Sequence, residues 1–276
     1  FGVLFQPYTR LISDSRTFKS KVSHKLRKLR KYLTVRFMLR QKRLKKVFIF
    51  NDYQTVNELN RHFSTSIFTH LPDPIYNYPN EDQLLDIRKK HNISEKKTIL
   101  LCFGMIDSKK NVAQIINAAK DLSEKTSRKL CILIVGKVRT EYERVLTKSI
   151  NAAKMVNSQL QIAQLKGFVT DAEMESYVKQ SDWISLAYVN FYSSSGVVGL
   201  AARHNKPILA TKFGVIGQQT KEYGLGISVD ARKTAEITDA LETMILEAHS
   251  YPKAAERFVD EHSPESFIKC LLQTGS

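Results

Sequence analysis

The segment FYSSSGVV at 191–198 contains residue types suited to binding an anion. Ser193, Ser194 and Ser195 supply hydroxyl groups, and Gly196 lets a ligand approach the backbone. An apolar run precedes the segment and a helical pattern follows it. Free backbone N–H groups should therefore lie at a helix N-terminus just beyond a strand, where phosphate groups bind. The alternative is an ordinary serine N-cap, although three consecutive serines exceed what a cap needs.

A second anion site is predicted in the turn FGMIDSKKN at 103–111. Gly104 allows a sharp bend, and Ser108 could cap the helix that follows. Lys109 and Lys110 would lie at the start of that helix, where the helix dipole disfavours cations unless they bind an anion. The alternative is a pair of exposed lysines. The turn matches neither the P-loop nor the G-x-G-x-x-G pattern.

A third candidate is the loop KGFVTD at 166–171, which follows an apolar run. Gly167 would turn the chain, and a flat nucleobase could lie against Phe168 and the backbone of Val169. The alternative places Phe168 in the core.

Other reactive residues give little signal. The seven histidines show no paired spacing of metal ligands, so we expect no metal. No G-x-S-x-G pattern occurs, which argues against a serine hydrolase. Three scattered cysteines, no signal-peptide pattern and no apolar run near about 18 residues favour a cytoplasmic protein. The chain begins at Phe1, in a stretch typical of the interior of a protein, so we expect a fragment or a processed piece.

The basic charge is concentrated in one segment. Residues 15–51 contain 14 Lys or Arg and no acidic residue, whereas the rest contains 29 basic and 27 acidic residues. Apolar residues recur there at helical spacing, namely Val22, Leu26, Leu29, Leu33 and Phe37. The segment therefore predicts either a solvated basic helix or a helix on an anionic membrane surface, with residues 19–46 as the contact. Nucleic acid is a weaker alternative, because no recognised binding motif accompanies the charge.

The elements that would position these residues alternate regularly. A strand at 47–51, a helix at 55–63 and a strand at 66–71 precede a proline-rich stretch. We predict a partial N-terminal α/β domain at 1–72, a linker at 73–82 and a second domain at 83–276.

The second domain reads as strands alternating with helices. Three strands end in glycine, at 98–104, 129–136 and 160–167. Strands that are apolar throughout and alternate with helices predict a parallel, Rossmann-like sheet covered on both faces. The expected helices lie at 111–122, 140–156, 171–181 and 195–204, with further strands in DWISLAY, PILAT and GISVD and a helical tail.

From about Thr98 to Leu271 the chain resembles the donor-binding domain of retaining glycosyltransferases of the GT-B fold, family 4 or group 1 type. ILLCFGMIDSKKN resembles the family's strand, glycine and lysine turn, and the implied contact to the donor diphosphate falls on Lys110. LKGFVTDAEMESYVKQSDWISLAY and GVVGLAARHNKPILATKFGVIG resemble the passages that follow, and LPDPI resembles the interdomain join.

The chain departs from the family pattern at four positions. The paired glutamates that usually face the sugar and hold the ribose fall on Tyr192 and Leu200. Met105 stands in place of an arginine, and Gln218 in place of a glutamate. These departures put the usual sugar and ribose contacts in doubt, and Ser194 and Ser195 could supply replacement hydrogen bonds.

The resemblance implies a metal-independent retaining hexosyltransferase whose nucleotide-sugar donor is a substrate, with no cofactor. Lys110, Ser194 and Ser195 would act in catalysis. The other predicted donor-site residues are Gly104, Lys109, Gly167, Phe168, Val169, Tyr192, Ser193 and Gly196. The implied acceptor is a lipid-linked or cell-envelope glycan, as in polysaccharide biosynthesis, and we expect the 276-residue chain alone to transfer little sugar. The alternative is a non-catalytic scaffold protein of the same fold, tethered to an anionic membrane.

Overall fold

A computed structural model describes residues 2–3, 18–76, 85–246 and 254–272. The chain divides into two compact units. The first comprises Phe1–Pro74, Tyr192–Ser194 and Glu261–Ser276, and the second comprises Ile75–Phe191 and Ser195–Asp260. Residues 77–82 of the predicted linker lie outside the described residues, and 72–76 have no regular secondary structure.

The first unit is built on a short parallel sheet. Its strands are β1 (Gly2–Val3), β2 (Val47–Phe50) and β3 (Phe68–Leu71), in the order β1-β2-β3. Its helices are α1 (Phe18–Met38), α2 (Tyr53–Phe63) and α12 (Pro264–Leu272), and α12 packs near β3. Asp52 caps α2, because its carboxylate accepts a hydrogen bond from the backbone N–H of Thr55 at 3.0 Å.

Helix α1 buries a different face from the one its apolar stripe suggests. Val35 contributes to the core of the first unit together with residues of β2, α2 and β3. The five stripe residues are exposed instead, with Leu26 at 61% and Phe37 at 67%. None of the helices in the described ranges is long and apolar enough to cross a membrane.

The second unit contains a six-stranded parallel sheet in the order β6-β5-β4-β7-β8-β9. The strands are β4 (Thr98–Phe103), β5 (Leu130–Gly136), β6 (Gln161–Lys166), β7 (Trp183–Leu186), β8 (Ile208–Thr211) and β9 (Gly226–Val229). The helices are α3 (Ile87–Lys90), α4 (Val112–Lys120), α5 (Glu124–Ser127), α6 (Thr140–Val156), α7 (Asp171–Gln180), α8 (Gly196–Arg203), α9 (Gly214–Tyr223), α10 (Thr234–Leu246) and α11 (Ala254–Glu261).

Apolar side chains cover both faces of this sheet. Neighbouring residues of β4 point in opposite directions, so Leu100 joins one buried cluster and Leu101 joins another. All residues of β5 are buried, as expected for a central strand. The predicted α/β class with a parallel sheet is therefore confirmed. Strand β6, expected at 160–167, lies at the edge of the sheet and is only half-buried.

The order of the strands creates a switch point. The chain runs outward from β4 to β5 and β6, and then returns to place β7 on the other side of β4. Leu100 pairs with Trp183 and Leu101 with Ile184. The chain therefore changes direction between β4 and β7, and ligands of open α/β sheets bind beyond the carboxyl ends of the strands at such a switch point.

Glycines shape the turns at this edge. Gly104 and Gly136 have φ of 102° and 138°, a backbone conformation that residues with a side chain rarely adopt. A Cβ on Gly136 would lie 1.9 Å from the carbonyl oxygen of Gly104. The turns after β4 and β5 thus approach more closely than any other residue would permit.

Candidate functional site

The turns after β4 and β7 meet at the switch point. The backbone N–H of Val189 donates to the carbonyl of Lys109 at 2.9 Å. The side-chain amide of Asn111 donates to the carbonyl of Ala187 at 3.2 Å. These bonds fix the residues that follow the two strands against one another.

Helix α4 begins later than the sequence suggested. Its N-cap is Asn111, with φ of 60°, so Ser108 does not cap the helix and that prediction is wrong. Asp107 organises the turn instead, because its carboxylate accepts from the backbone N–H groups of Lys109 at 2.9 Å and Lys110 at 3.2 Å. Both lysines lie in this turn, immediately before the helix.

The two lysines differ in their surroundings. Lys109 is exposed, whereas the side chain of Lys110 turns inward beside Gly104. A Cβ on Gly104 would lie only 3.6 Å from the Nζ of Lys110. The Lys110 ammonium donates a hydrogen bond to the phenol oxygen of Tyr188 and lies 4.2 Å from the centroid of that ring. Burial lowers the pKa of Lys110 to about 8, although Asp107 opposes the shift.

Ser195 occupies the N-cap position of α8, but its side chain makes no capping hydrogen bond. It hydrogen-bonds to the Tyr188 phenol, which links it to Lys110. A Cβ on Gly196 would meet no atom within 4 Å, so the start of α8 has open space beside it. The N-terminus of α8 therefore has room for an anion that would satisfy its N–H groups.

The other serines of the segment fall in the first unit. Tyr192, Ser193 and Ser194 are partly buried and lie outside regular secondary structure. In the second unit the structure thus brings Lys110 and Ser195 together through Tyr188. Gly196 lies beside them because it follows Ser195 in the chain.

Phe168 lies on the surface rather than in the core. Its side chain is 83% exposed, and the Nζ of Lys137 lies 5.6 Å from its ring centroid. Gly167, with φ of 129°, donates its N–H to the carbonyl of Gly136 at 3.4 Å, which places this loop beside the first glycine turns. Val169 is half-buried and packs against the core. The core alternative for Phe168 is therefore wrong, and an exposed aromatic ring lies at the carboxyl edge.

The positions that depart from the family pattern have distinct surroundings. Leu200 is buried in α8 as part of the apolar core. Met105 is exposed in the turn after β4, and Gln218 lies on α9. A carboxylate at position 200 would have to be accommodated among apolar side chains.

Tyr188 is the functional residue that the sequence analysis missed. It is 3% exposed and follows β7 by two residues. The sequence feature that could have identified it is a tyrosine at the end of the apolar strand DWISLAY. A buried tyrosine usually has a hydrogen-bond partner, so this position predicts a polar neighbour at the carboxyl edge of the sheet.

A buried ionic cluster joins α7 to α8 away from this edge. Glu175 is 3% exposed, and its two carboxylate oxygens contact Arg203 and His204. Burial lowers the pKa of His204. The cluster fixes the C-terminal end of α8, because Arg203 and His204 lie there. It therefore stabilises the helix that begins after Ser195.

Comparisons with known proteins place these features in a family. The family model for glycosyl transferases group 1 matches residues 85–261, more than half of the chain. No curated protein matches the sequence. The structure is similar to WaaG, a glycosyltransferase involved in lipopolysaccharide biosynthesis, with a TM-score of 0.62 and 18% identity. That match covers 96% of this chain and 74% of WaaG.

Two further structures are similar. The C-terminal domain of the group 1 protein LpcC from Francisella tularensis has a TM-score of 0.54 and 19% identity, covering 67% of this chain and 92% of that domain. Anabaena Alr3699/HepE in complex with UDP and glucose has a TM-score of 0.64 and 10% identity, covering 83% of this chain and 62% of HepE. The expected GT-B fold is confirmed, and this chain belongs to the group 1 family of glycosyltransferases.

Proposed function

We propose that the chain binds a nucleotide-sugar at the β4–β7 switch point and serves in sugar transfer to a lipid-linked or cell-envelope glycan. The observation that carries the proposal is the Lys110 ammonium. It is held in a partly buried position beyond two adjacent strands and is linked through Tyr188 to the N-terminus of α8. A cation withdrawn from water beside a helix N-terminus is suited to a diphosphate.

The proposed chemistry is retaining hexosyl transfer without a metal ion. The bond between the anomeric carbon and the diphosphate oxygen breaks while the acceptor hydroxyl oxygen bonds to the same face of that carbon, and the hydroxyl proton passes to the leaving diphosphate. Negative charge grows on the diphosphate as its bond breaks. Lys110 and the N–H groups of Ser195 and Gly196 would stabilise that charge, and the Ser195 hydroxyl would replace a hydrogen bond of the absent glutamates. Lys109, exposed beside Lys110, would add a weaker attraction through its charge.

The remaining donor contacts follow from the glycine-rich edge. Gly104 and Gly167 keep the turns free of side chains, and the exposed Phe168 ring would stack on the nucleobase beside the backbone of Val169. The similar HepE structure holds UDP and glucose, which supports a nucleoside diphosphate as the leaving group.

The proposed acceptor and location rest on α1 and on one similar protein. WaaG acts in lipopolysaccharide biosynthesis, which supports an envelope glycan acceptor. Helix α1 has an exposed apolar stripe, basic residues around it and no acidic residue in its first turn. We propose that it lies on the anionic inner face of a cytoplasmic membrane, as basic amphipathic helices do.

A non-catalytic scaffold of the same fold is the second candidate. Tyr192 and Leu200 favour it, because they replace both carboxylates that the family resemblance leads one to expect. Such a protein would use α1 to bind a membrane and would turn over no sugar-nucleotide.

Transfer by the full-length protein separates the two candidates. Lys110→Ala should lower the rate of sugar transfer at least about 100-fold, as expected for loss of one group that stabilises a developing anion. Lys125→Ala, which removes an exposed lysine from α5, should leave the rate unchanged. Unchanged turnover in Lys110→Ala would refute the proposed role of Lys110. Membrane binding with no turnover in the unmodified protein would refute the transferase proposal and favour the scaffold.

A further inference from the structure

We infer that Tyr188 is a positioning residue, whose phenol oxygen holds both the Lys110 ammonium and the Ser195 hydroxyl in place beside the ligand anion. This inference rests on the proposed donor site. No element of the sequence pattern or of the family resemblance assigns a role to this tyrosine. It is the residue through which the turn after β4 and the N-terminus of α8 are connected.

The surroundings of Tyr188 leave its phenol little freedom. Its backbone N–H donates to the carbonyl of Leu186 at 2.7 Å. Its ring packs edge-on against Phe191, with the ring centroids 5.3 Å apart. The Lys110 ammonium lies at the hydroxyl end of this ring, 4.2 Å from the ring centroid. The position of the ring therefore sets where that ammonium lies.

The direction of the hydrogen bonds follows from the donor groups. An ammonium has three donors and no acceptor, so the Tyr188 oxygen must accept from Lys110. The hydrogen bond with Ser195 opposes the rise that burial causes in the pKa of Tyr188, so the Ser195 hydroxyl also donates to the phenol oxygen. The Tyr188 oxygen thus accepts from both groups. The ammonium keeps two further donors that can face an anion.

Loss of the lysine proton would remove the charged donor from this arrangement. Burial lowers the pKa of Lys110 to about 8, while Asp107 and Cys102 oppose that shift. The Tyr188 oxygen also favours the charged lysine, because it accepts a hydrogen bond from the ammonium.

The Tyr188→Phe variant tests the inference, because it keeps the ring and removes the oxygen. The matched control is Tyr142→Phe, whose phenol is buried in the same unit and accepts from the N–H of Ala113 at 2.9 Å. We would follow the 13Cε resonance of Lys110 against pH in the whole chain labelled at lysine, and titrate each protein with UDP, GDP, ADP and CDP. The resonance is assigned by its absence in Lys110→Met.

The expected result is a fall of about one unit in the Lys110 titration midpoint in Tyr188→Phe, because a charged donor loses its acceptor. Affinity for the preferred nucleotide should fall about tenfold. Ser195→Ala should add little in the Tyr188→Phe background, since the two residues act as one unit. Tyr142→Phe should change neither the midpoint nor the affinity.

A Lys110 midpoint that is equal in the unmodified chain and in Tyr188→Phe would overturn the inference, whatever the nucleotides do. Full additivity of Ser195→Ala and Tyr188→Phe would also overturn it, because Ser195 would then be oriented independently. A shifted midpoint without binding of any nucleotide would support the contact between Tyr188 and Lys110 and refute the donor site itself. The two claims therefore fail in distinguishable ways.

Discussion

The Nζ of Lys110 lies 4.2 Å from the ring centroid of Tyr188 and donates to its phenol oxygen. The two residues follow adjacent strands of the sheet, so the contact spans the switch point. The phenol oxygen stabilises the cation by accepting its hydrogen bond, while burial withdraws the cation from water and lowers its pKa to about 8. A lysine in this state binds an anion with a strength that depends on pH near neutrality.

Affinity for a nucleotide-sugar should therefore fall above pH 8. The anion favours the protonated lysine, which predominates below the pKa of about 8 and is lost above it. We expect a loss of up to about tenfold per pH unit between pH 8 and 9, measured by calorimetry. Lys110→Arg, which stays charged over this range, should show a flat profile. A flat profile in the unmodified protein would show that Lys110 does not contact the anion.

Phe168→Ala should weaken nucleotide-sugar binding by about 1–3 kcal/mol, because a base would lose its stacking surface. Affinity for inorganic pyrophosphate should stay the same, since pyrophosphate has no base. The ring is 83% exposed, so stability should change little. Met155→Ala removes another highly exposed side chain, on α6, and serves as the control. Equal losses for nucleotide-sugar and pyrophosphate would contradict stacking at Phe168.

Glu175→Gln should destabilise the second unit by about 3 kcal/mol, because it removes the buried negative charge that Arg203 contacts. Trp183 is the only tryptophan and is buried in β7, so its fluorescence during urea unfolding reports on this unit. Glu143→Gln breaks a pair with Lys166 in which both side chains are about half exposed, and should cost about 1 kcal/mol or less. Equal unfolding midpoints for the two variants would contradict the structural role of Glu175.

Most of the second unit could be predicted from its sequence. Apolar runs that end in glycine marked β4, β5 and β6, and the positive φ of Gly104 and Gly136 explains why glycine stands there. The contact between Lys110 and Tyr188 could not be predicted. It depends on β7 lying beside β4, and local periodicity contains no information about the order of strands in a sheet.

Helix α1 also shows that local periodicity does not predict tertiary contacts. The spacing of its apolar residues predicted a helix, which the structure confirms over Phe18–Met38. Periodicity identifies an apolar face but not what covers it. In the first unit Val35 is buried, whereas Leu29 and Leu33 of the stripe are exposed.

This exposed stripe predicts binding to anionic vesicles. The chain should sediment with phosphatidylglycerol vesicles and not with phosphatidylcholine vesicles, and binding should weaken as salt rises. Replacing Leu26, Leu29 and Leu33 by Ser should lower the affinity at least about tenfold, because less apolar area is buried in the interface. Serine at three exposed apolar positions of α6, namely Val145, Met155 and Val156, should have no effect.

Two outcomes would contradict the membrane proposal. The first is equal vesicle binding by the α1 and α6 variants. The second is salt-sensitive binding of RNA with no binding of vesicles, which would favour nucleic acid as the partner of the basic segment.

The most direct test of donor binding is a calorimetric titration of the chain with UDP-, GDP-, ADP- and CDP-sugars, with Lys110→Ala and Ser195→Ala beside it. We expect saturable binding that favours one nucleotide, weakens at least about 100-fold in Lys110→Ala and weakens about tenfold in Ser195→Ala. Flat titrations with all four donors, from a chain whose Trp183 fluorescence shows a folded second unit, would contradict donor binding at the switch point.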